Sequence, residues 1–209
     1  VMTDRTKILG VVLAGGKGTR IGNQDKGLLK INNKTLIQHA IERLSPQVAD
    51  VIINANGDPN RFRDQKKQIV PDTALGFQGP LAGILAGLDH AIINGYSSIV
   101  SVAVDTPFFP KDLVRRLIKT ANNHGGLSIS SSINNSLENK KHPTFGIWPC
   151  RLRDSLSEQL LNGNRKIIIW TEKHNAGNTV YKINNIDPFF NINTIDDLQY
   201  ANSMSERFV

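Results

Sequence analysis

A glycine-rich loop with nearby cations is the part of this sequence best suited to bind a charged ligand. The loop reads LAGGKGTRIG over residues 13–22 and follows an apolar run over residues 8–13. Closely spaced glycines let backbone N–H groups point into one cavity, which favours an anion. Four cations lie within fourteen residues of one another: Lys17, Arg20, Lys26 and Lys30. These residues predict a phosphate-binding loop, with a solvated surface loop as the alternative.

The spacing of this loop excludes two well-known phosphate motifs. If Gly16-Lys17 closed a Walker A loop, Val11 would take the place of its first glycine and Gly18 that of its hydroxyl residue. A dinucleotide fingerprint that began at Gly16 would require glycine at position 21, which is Ile21. The loop therefore belongs to neither class, although its place after a strand still favours ligand binding.

Polar side chains follow three later apolar runs. Asn54 and Asn56 come after the second run, Asp72 after the third and Asp105 after the fourth. Because the carboxyl ends of parallel strands meet at one edge, these residues are expected near the glycine-rich loop. A carboxylate there can bind Mg²⁺, and an amide can bind a base, although each residue alone could simply close a turn. Asp105 is the candidate metal ligand.

Alternating strand-like and helical segments must position these residues. Strands are expected at 8–13, 51–53, 69–70 and 99–104, and helices at 36–44, 59–67, 81–92 and 113–121. Further strands are expected at 127–133, 144–148 and 179–183, with a polar connection over 134–141 and helices at 152–161, 165–173 and from 194. This order predicts an α/β fold with a parallel, doubly wound sheet. One domain is expected over 1–209, with a nucleotide-binding half over about 8–125 and an acceptor-binding half over about 126–209.

Charge and cysteine content limit which binding partners and which cellular compartment are expected. Lys and Arg number 25 and Asp and Glu 18, a net charge of +7 that calls for an anionic partner: nucleic acid, a membrane surface or a phosphorylated small molecule. The one cysteine, Cys150, excludes an intrachain disulfide and a cysteine-built metal site, and it is expected to be an inert buried thiol. No apolar run approaches the ~20 residues of a membrane helix, and no signal peptide is expected. A cytoplasmic protein is therefore expected.

The ordered motifs resemble the molybdenum cofactor guanylyltransferase family, whose members attach GMP from GTP to molybdopterin. The matching motifs are LAGG at 13–16, RIG at 20–22, DKGLL at 25–29, NAN at 54–56, Asp72, GPLAG at 79–83, DTPF at 105–108, HPT at 142–144 and FNINT at 190–194. The first loop alone is shared with sugar-nucleotide and polyol-phosphate nucleotidyltransferases, whereas the whole order is more specific. The resemblance implies a single-domain, Rossmann-like nucleotidyltransferase fold with a mostly parallel central sheet and helices on both faces.

The resemblance also implies roles for individual residues. Residues expected to bind the nucleotide are Leu13, Ala14, Gly15, Gly16, Lys26, Asn54, Asp72, Gly79 and Asp105. Lys26 and Arg20 would meet the triphosphate, and Asp105 would also hold Mg²⁺, which makes these three the catalytic residues. Gly79 to Gly83 would open a helix beside the nucleoside, where a side chain would block its approach.

The acceptor side of the site is less sharply defined. The resemblance places His142, Asn191 and Asn193 there, and the basic pair Lys140-Lys141 is expected beside them. A packed or capping role for His142 is an equal alternative. A second metal ligand stays open among Asn191, Asn193, Asp187, Asp196 and Asp197. Trp148 and Trp170 are expected in the core.

The resemblance implies a Mg²⁺-dependent enzyme that uses GTP and molybdenum-bound molybdopterin, with cofactor carrier and maturation proteins as partners. No nucleic acid or membrane is then needed to explain the charge. One rival is a cytidylyltransferase for the same cofactor, whose loop tends to read LAAG where this chain has LAGG. Other rivals are a sugar-1-phosphate or polyol-phosphate nucleotidyltransferase and a non-catalytic nucleotide or RNA binder. The sequence offers no basic helix or aromatic stacking motif for the last.

Overall fold

The computed structural model describes residues 5–15, 25–73, 79–164, 166–184 and 186–204. Residues 16–24, which include most of the glycine-rich loop, lie outside these ranges. The expectations for Gly16, Lys17 and Arg20 therefore fall outside the described residues.

The described residues form nine strands, six α-helices and several short 3-10 helices. The strands are β1 Ile8–Leu13, β2 Lys30–Ile31, β3 Lys34–Thr35, β4 Asp50–Asn54, β5 Ile69–Val70, β6 Ser98–Ala103, β7 Ser128–Ile133, β8 Asn139–Pro149 and β9 Gly177–Lys182. The α-helices are α1 Leu36–Leu44, α2 Pro80–Ile93, α3 Leu113–Ala121, α4 Arg153–Leu161, α5 Ile167–Lys173 and α6 Ile195–Met204. Short 3-10 helices include Lys26–Leu28 and Pro59–Gln65.

A seven-stranded sheet runs through the molecule in the order β5-β4-β1-β6-β8-β7-β9. The four strands from β5 to β6 are parallel, as the βαβα pattern predicted. The long strand β8 runs antiparallel to both of its neighbours, whereas β7 and β9 are parallel to each other. The sheet is therefore mostly parallel, and β2 and β3 form a separate antiparallel pair.

Helices cover both faces of the sheet. Strand β1 is fully buried because Val12 packs with α1 and α3 on one face, while Val11 and Leu13 pack with α2 on the other. The second face also holds Trp148 and Trp170, which are 0% and 1% exposed, as expected for core residues. A strand that is apolar at every position is what a sheet covered on both faces requires.

Three segments differ from the sequence-based expectation, and one of them is the β2–β3 pair, for which no strands were predicted. Strand β8 begins at Asn139, so only a short turn connects it to β7; in that turn the Asn134 carboxamide accepts from the N–H groups of Ser136 and Glu138, both at 3.0 Å. The first residues of β8 are polar and exposed, so no apolar alternation marked them as a strand. Pro59–Gln65 is a 3-10 helix rather than an α-helix, and Phe62 is its one buried residue.

Cys150 lies at the start of a 3-10 helix and is partly buried. Its Sγ contacts the Tyr96 carbonyl at 3.4 Å, and burial raises the pKa of the thiol to about 11. The thiol is therefore protonated and a poor nucleophile near neutral pH. Among the described residues, each helix lacks the length and hydrophobicity that crossing a bilayer requires.

Candidate active site

The carboxyl ends of β1, β4 and β6 lie side by side at one edge of the sheet. Leu13 pairs with Asn54 on one side and with Ala103 on the other. The next residue, Ala14, donates its N–H to the Asn54 carbonyl at 2.9 Å, and Gly15 is exposed at the edge. The backbone that leads into the glycine-rich loop is therefore fixed against its neighbouring strand.

Three of the predicted residues, Lys26, Asp105 and Asn193, come together at this edge. Lys26 Nζ donates to Asp105 Oδ2 at 3.0 Å and to Asn193 Oδ1 at 2.7 Å. The side chains of Lys26 and Asp105 are each 21% exposed, so the ion pair is partly buried but still reaches solvent. Residues far apart in the sequence thus form one charged cluster.

Backbone contacts hold Asp105 and Asn193 in place. Asp105 follows β6, and its carbonyl accepts from the Ile192 N–H at 2.8 Å. Asp197 Oδ2 accepts from the N–H groups of Asn193 and Thr194 at 2.9 and 2.8 Å, while the Thr194 hydroxyl accepts from Asp197 N–H. This reciprocal cap fixes the start of α6, so the cap also orients Asn193.

Two of the three acids near Asn193 have structural partners. Asp197 caps α6, and Asp187 Oδ1 accepts from the Phe189 N–H at 2.8 Å. The described part of the chain contains no group of three or more His, Cys, Asp or Glu side chains that could hold a metal ion. A fully protein-built metal cage is therefore not present among these residues, and Asp105 as a metal ligand stays a prediction.

A second polar cluster joins the ends of β4 and β5. The Asn54 amide, 3% exposed, donates to Asp72 Oδ1 at 2.9 Å and to the Val70 carbonyl at 3.1 Å. Asn56 donates to Asp72 Oδ2 at 2.8 Å and accepts from the Asp72 N–H at 2.9 Å. Both asparagines therefore orient Asp72 beside the end of β1, where the sequence placed a nucleotide contact.

The glycines of the GPLAG motif have different physical roles. Gly79 has φ of +108° and precedes α2, so its backbone conformation rather than crowding requires glycine. A Cβ on Gly83 would lie 2.2 Å from Asn54 Oδ1 and 2.8 Å from Leu13 Cδ2. Gly83 thus makes room for Asn54, whereas the sequence-based expectation was room for a nucleoside.

His142 is packed inside the fold rather than facing open solvent. It is 8% exposed, its ring stacks on Phe189 at 4.3 Å, and its Nε2 is hydrogen-bonded to Ser132 Oγ at 2.7 Å. Burial lowers its pKa to about 4, so the ring is neutral at pH 7. The geometry favours the packed alternative, in which His142 supports the segment that carries Asn191 and Asn193.

The basic pair beside His142 is on the exposed end of β8. Lys141 Nζ lies 2.8 Å from Glu172 Oε1 of α5, so this lysine is engaged in a surface ion pair. Lys140 is exposed, as is Asn191. The structure thus gives these three residues no contact with the Lys26 cluster, and their acceptor-side role stays a prediction.

Sequence reasoning missed one residue close to Lys26. Arg61 Nη1 lies 3.1 Å from Asp25 Oδ2, next to the turn that carries Lys26. The charged residues around Arg61 predicted only a helix. The contact with Asp25 was not predicted, because the two residues are far apart in the sequence. An arginine that pairs with an acid elsewhere in the fold leaves no local sequence pattern.

Comparison with known proteins agrees with this arrangement. A family model for the MobA-like NTP transferase domain matches residues 10–176. A molybdenum cofactor guanylyltransferase of Mesorhizobium japonicum is 40% identical over 203 residues, which cover 94% of this chain and 95% of that protein. The family model spans the glycine-rich loop and the segment that carries Asp105.

Solved structures show the same architecture. Molybdopterin-guanine dinucleotide biosynthesis protein A of Archaeoglobus fulgidus superposes with a TM-score of 0.71 at 25% identity, covering 95% of this chain and 99% of that one. A CMP:2-keto-3-deoxy-manno-octonic acid synthetase complexed with CTP shares the fold at a TM-score of 0.74 and 13% identity, covering 97% of this chain and 100% of its own. The chain belongs to the family of MobA-like NTP transferase domains and is a nucleotidyltransferase.

Proposed function

We propose that this protein transfers GMP from GTP to the phosphate of molybdenum-bound molybdopterin, forming molybdopterin guanine dinucleotide and pyrophosphate. The choice of guanine and of the pterin acceptor rests on full-length similarity to a molybdenum cofactor guanylyltransferase. The reaction class rests on the family match and on the charged edge of the sheet. The expected setting is the cytoplasm, with carrier and maturation proteins that deliver the acceptor and receive the product.

One observation carries the proposal: Lys26 Nζ bridges Asp105 and Asn193 at 3.0 and 2.7 Å beside the end of β1. A cation and a carboxylate in one partly buried cluster suit a substrate that carries a triphosphate and a metal ion. Lys26 is the group that would bind the departing pyrophosphate, with Arg20 as its expected helper. A simple surface ion pair would not need a third polar partner from the distant Asn193.

The donor set at Asp105 fits Mg²⁺. The ammonium of Lys26 lies between two oxygen atoms, Asp105 Oδ2 and Asn193 Oδ1, so this position already favours a cation. Mg²⁺ is commonly held by one or two carboxylates together with substrate phosphates, which one aspartate satisfies. When bound, Mg²⁺ would neutralise charge on the phosphate oxygens.

The protein's own residues would act by position and charge. A phosphate oxygen of the pterin attacks the α-phosphorus of GTP, a new P–O bond forms, and the bond to the β-phosphate bridging oxygen breaks. A phosphate monoester is already anionic near neutral pH, so the reaction requires no strong general base. This agrees with a neutral, hydrogen-bonded His142, whose contribution is to support the acceptor segment. Asn54 and Asp72 would orient the nucleoside.

Nucleotide binding tests the proposal before any acceptor is added. Calorimetric titration with GTP, CTP and ATP, each with and without Mg²⁺, is expected to show GTP as the tightest ligand and Mg²⁺ as an enhancer. Tighter binding of CTP would favour the cytidylyl alternative. Equal binding of all three without an effect of Mg²⁺ would contradict the proposal and favour a non-catalytic binder.

A further inference from the structure

The turn that carries Lys26 is short and depends on neighbouring elements for its position. The 3-10 helix Lys26–Leu28 has three residues, which is too few for a helix to be stable by itself. Asp25 caps it, because Asp25 Oδ1 accepts from the Gly27 N–H at 2.9 Å. The direction of the Lys26 side chain therefore depends on how firmly Asp25 is held.

The second 3-10 helix, Pro59–Gln65, holds Asp25 from outside. Arg61 Nη1 lies 3.1 Å from Asp25 Oδ2, the carboxylate oxygen that the cap does not use. The helix has its own cap, in which Asp58 Oδ1 accepts from the Asn60 N–H at 2.9 Å, and Pro59 occupies its first turn. Arg61 therefore projects from a support that is itself fixed.

The same helix also supports the other neighbour of Lys26. Phe62 is 1% exposed, and a Cβ on Gly27 would lie 3.0 Å from its ring. Gly27 thus packs closely on Phe62 while Asp25 is paired with Arg61. The residues on both sides of Lys26 are anchored to one element, by an ion pair and by an apolar contact.

The ion pair is only partly exposed to solvent. The side chains of Arg61 and Asp25 are 27% and 21% exposed, and Arg61 Nε is buried without a hydrogen-bond partner in the described part of the chain. Holding a guanidinium in this position has a desolvation cost, which the contact with Asp25 offsets. A merely solvated surface arginine would not leave Nε buried.

We infer that Arg61 is a positioning residue for the nucleotidyl transfer: it orients the Asp25 carboxylate and thereby fixes the turn that presents Lys26 to the triphosphate. This inference rests on the proposed function for the role of Lys26. The structural part, from Arg61 through Asp25 to the Gly27 N–H, is independent of that function. Arg61 acts through Asp25 and needs no contact with substrate.

The test combines Arg61→Ala, Asp25→Asn and the double variant, with Arg63→Ala as the matched control. Arg63 is on the same helix, but its side chain is 78% exposed and its nearest acid, Asp64, is 3.8 Å away. We expect Arg61→Ala to weaken GTP binding about fivefold, the scale of a partly buried ion pair, and Arg61→Lys to restore part of the loss. In the Asp25→Asn background, Arg61→Ala is expected to add no further loss. Arg63→Ala is expected to bind GTP like the unmodified protein.

Hydrogen exchange of the Gly27 amide provides a readout that needs no substrate. We expect Arg61→Ala to accelerate exchange at Gly27, while thermal unfolding changes little and Arg63→Ala leaves exchange unaltered. Unchanged exchange at Gly27 would overturn the inference. So would a full loss of GTP affinity on adding Arg61→Ala to the Asp25→Asn variant, because Arg61 would then act without the Asp25 charge. Failure of the unmodified protein to bind GTP would count against the proposed function, while the exchange result would still decide the role of Arg61.

Discussion

At the scale of single residues, the Lys26–Asp105 ion pair is the centre of the site. Each side chain is 21% exposed, and Asn193 accepts a second hydrogen bond from the ammonium. Lys26 neutralises Asp105 in the free protein, and under the proposed function it would also bind the triphosphate. Loss of either partner leaves a half-buried charge without its counter-charge, which is costly.

Asp105→Asn removes the carboxylate charge and keeps the shape of the side chain. We expect turnover to fall by more than about 100-fold, the scale of losing one preorganised charge contact in a site of this kind. Pyrophosphate release from GTP in the presence of acceptor measures the effect, and Asp112→Asn, an exposed acid paired with Arg115, is the control. Near-full activity of Asp105→Asn would refute the assignment of this residue.

Lys26→Met is expected to have opposite effects on two ligands. Without the ammonium, Asp105 has no competing cation, so Mn²⁺ used as a probe for Mg²⁺ should bind the free protein about tenfold more tightly. GTP should bind more weakly because a phosphate contact is lost. Electron paramagnetic resonance of Mn²⁺ measures the first effect, with Lys173→Met, an exposed lysine of α5, as the control. Weaker Mn²⁺ binding by Lys26→Met would show that Lys26 does not compete with the metal.

At the scale of elements, two glycines of helix α2 allow the helix to pack closely against the central sheet. Gly83 faces Asn54 and Leu13 near the site, whereas Gly87, one turn later, faces Val11 and Ile99 in the core. Both glycines allow close contact between helix and sheet, but only the first contact supports a predicted ligand-binding residue. Substitutions at Gly83 and Gly87 can therefore distinguish an effect on stability alone from an effect on ligand binding.

Gly83→Ala and Gly87→Ala form a matched pair. An added Cβ would lie 2.2 Å from Asn54 Oδ1 at the first position and 2.8 Å from Val11 Cγ2 at the second. Each variant is expected to lose about 1–3 kcal/mol of unfolding free energy through overpacking. Only Gly83→Ala should also weaken GTP binding, because Asn54 must move away from Asp72. Thermal unfolding and GTP titration measure the two effects, and equal GTP affinity in both variants would contradict the account.

Strand β8 contributes a pH-dependent element through His142. Burial lowers the pKa of His142 to about 4 in the folded protein, against an ordinary value near 6.5, so between these values the unfolded chain binds the extra proton. Stability therefore rises with pH across this window and is lost as pH falls from about 6.5 towards 4. We expect His142 to account for about 2 kcal/mol between pH 7 and pH 4.5. Urea unfolding at several pH values measures the effect. The unfolding free energy of His142→Asn should change less with pH than that of the unmodified protein, and an identical pH dependence would refute this prediction.

At the scale of the whole molecule, the apolar patterns predicted the order of strands and helices because each element buries a regular face. The start of β8 was missed because its first residues are polar. The patterns did not predict the position of β8 between β6 and β7, since antiparallel insertion is set by tertiary packing. The contacts from Lys26 to Asn193 and from Arg61 to Asp25 also lie beyond local patterns, because they join distant segments.

The positive charge is distributed more widely than the sequence suggested. Contrary to the expectation of no basic helix, α3 carries Arg115, Arg116 and Lys119, which line a surface cleft of about 710 Å³ with β9. Arg116 lies over the Tyr181 ring at 3.9 Å and donates to the Val180 carbonyl, so part of this charge serves packing. The net charge alone therefore does not measure the site's affinity for anions.

Guanylyl transfer is tested by measuring pyrophosphate release from GTP and from CTP by the purified protein, with molybdenum-bound molybdopterin as the acceptor. We expect release that requires Mg²⁺ and acceptor, is much faster with GTP than with CTP, and is matched by an equal amount of molybdopterin guanine dinucleotide. Faster release with CTP, or no dinucleotide product from GTP, would contradict the proposed function.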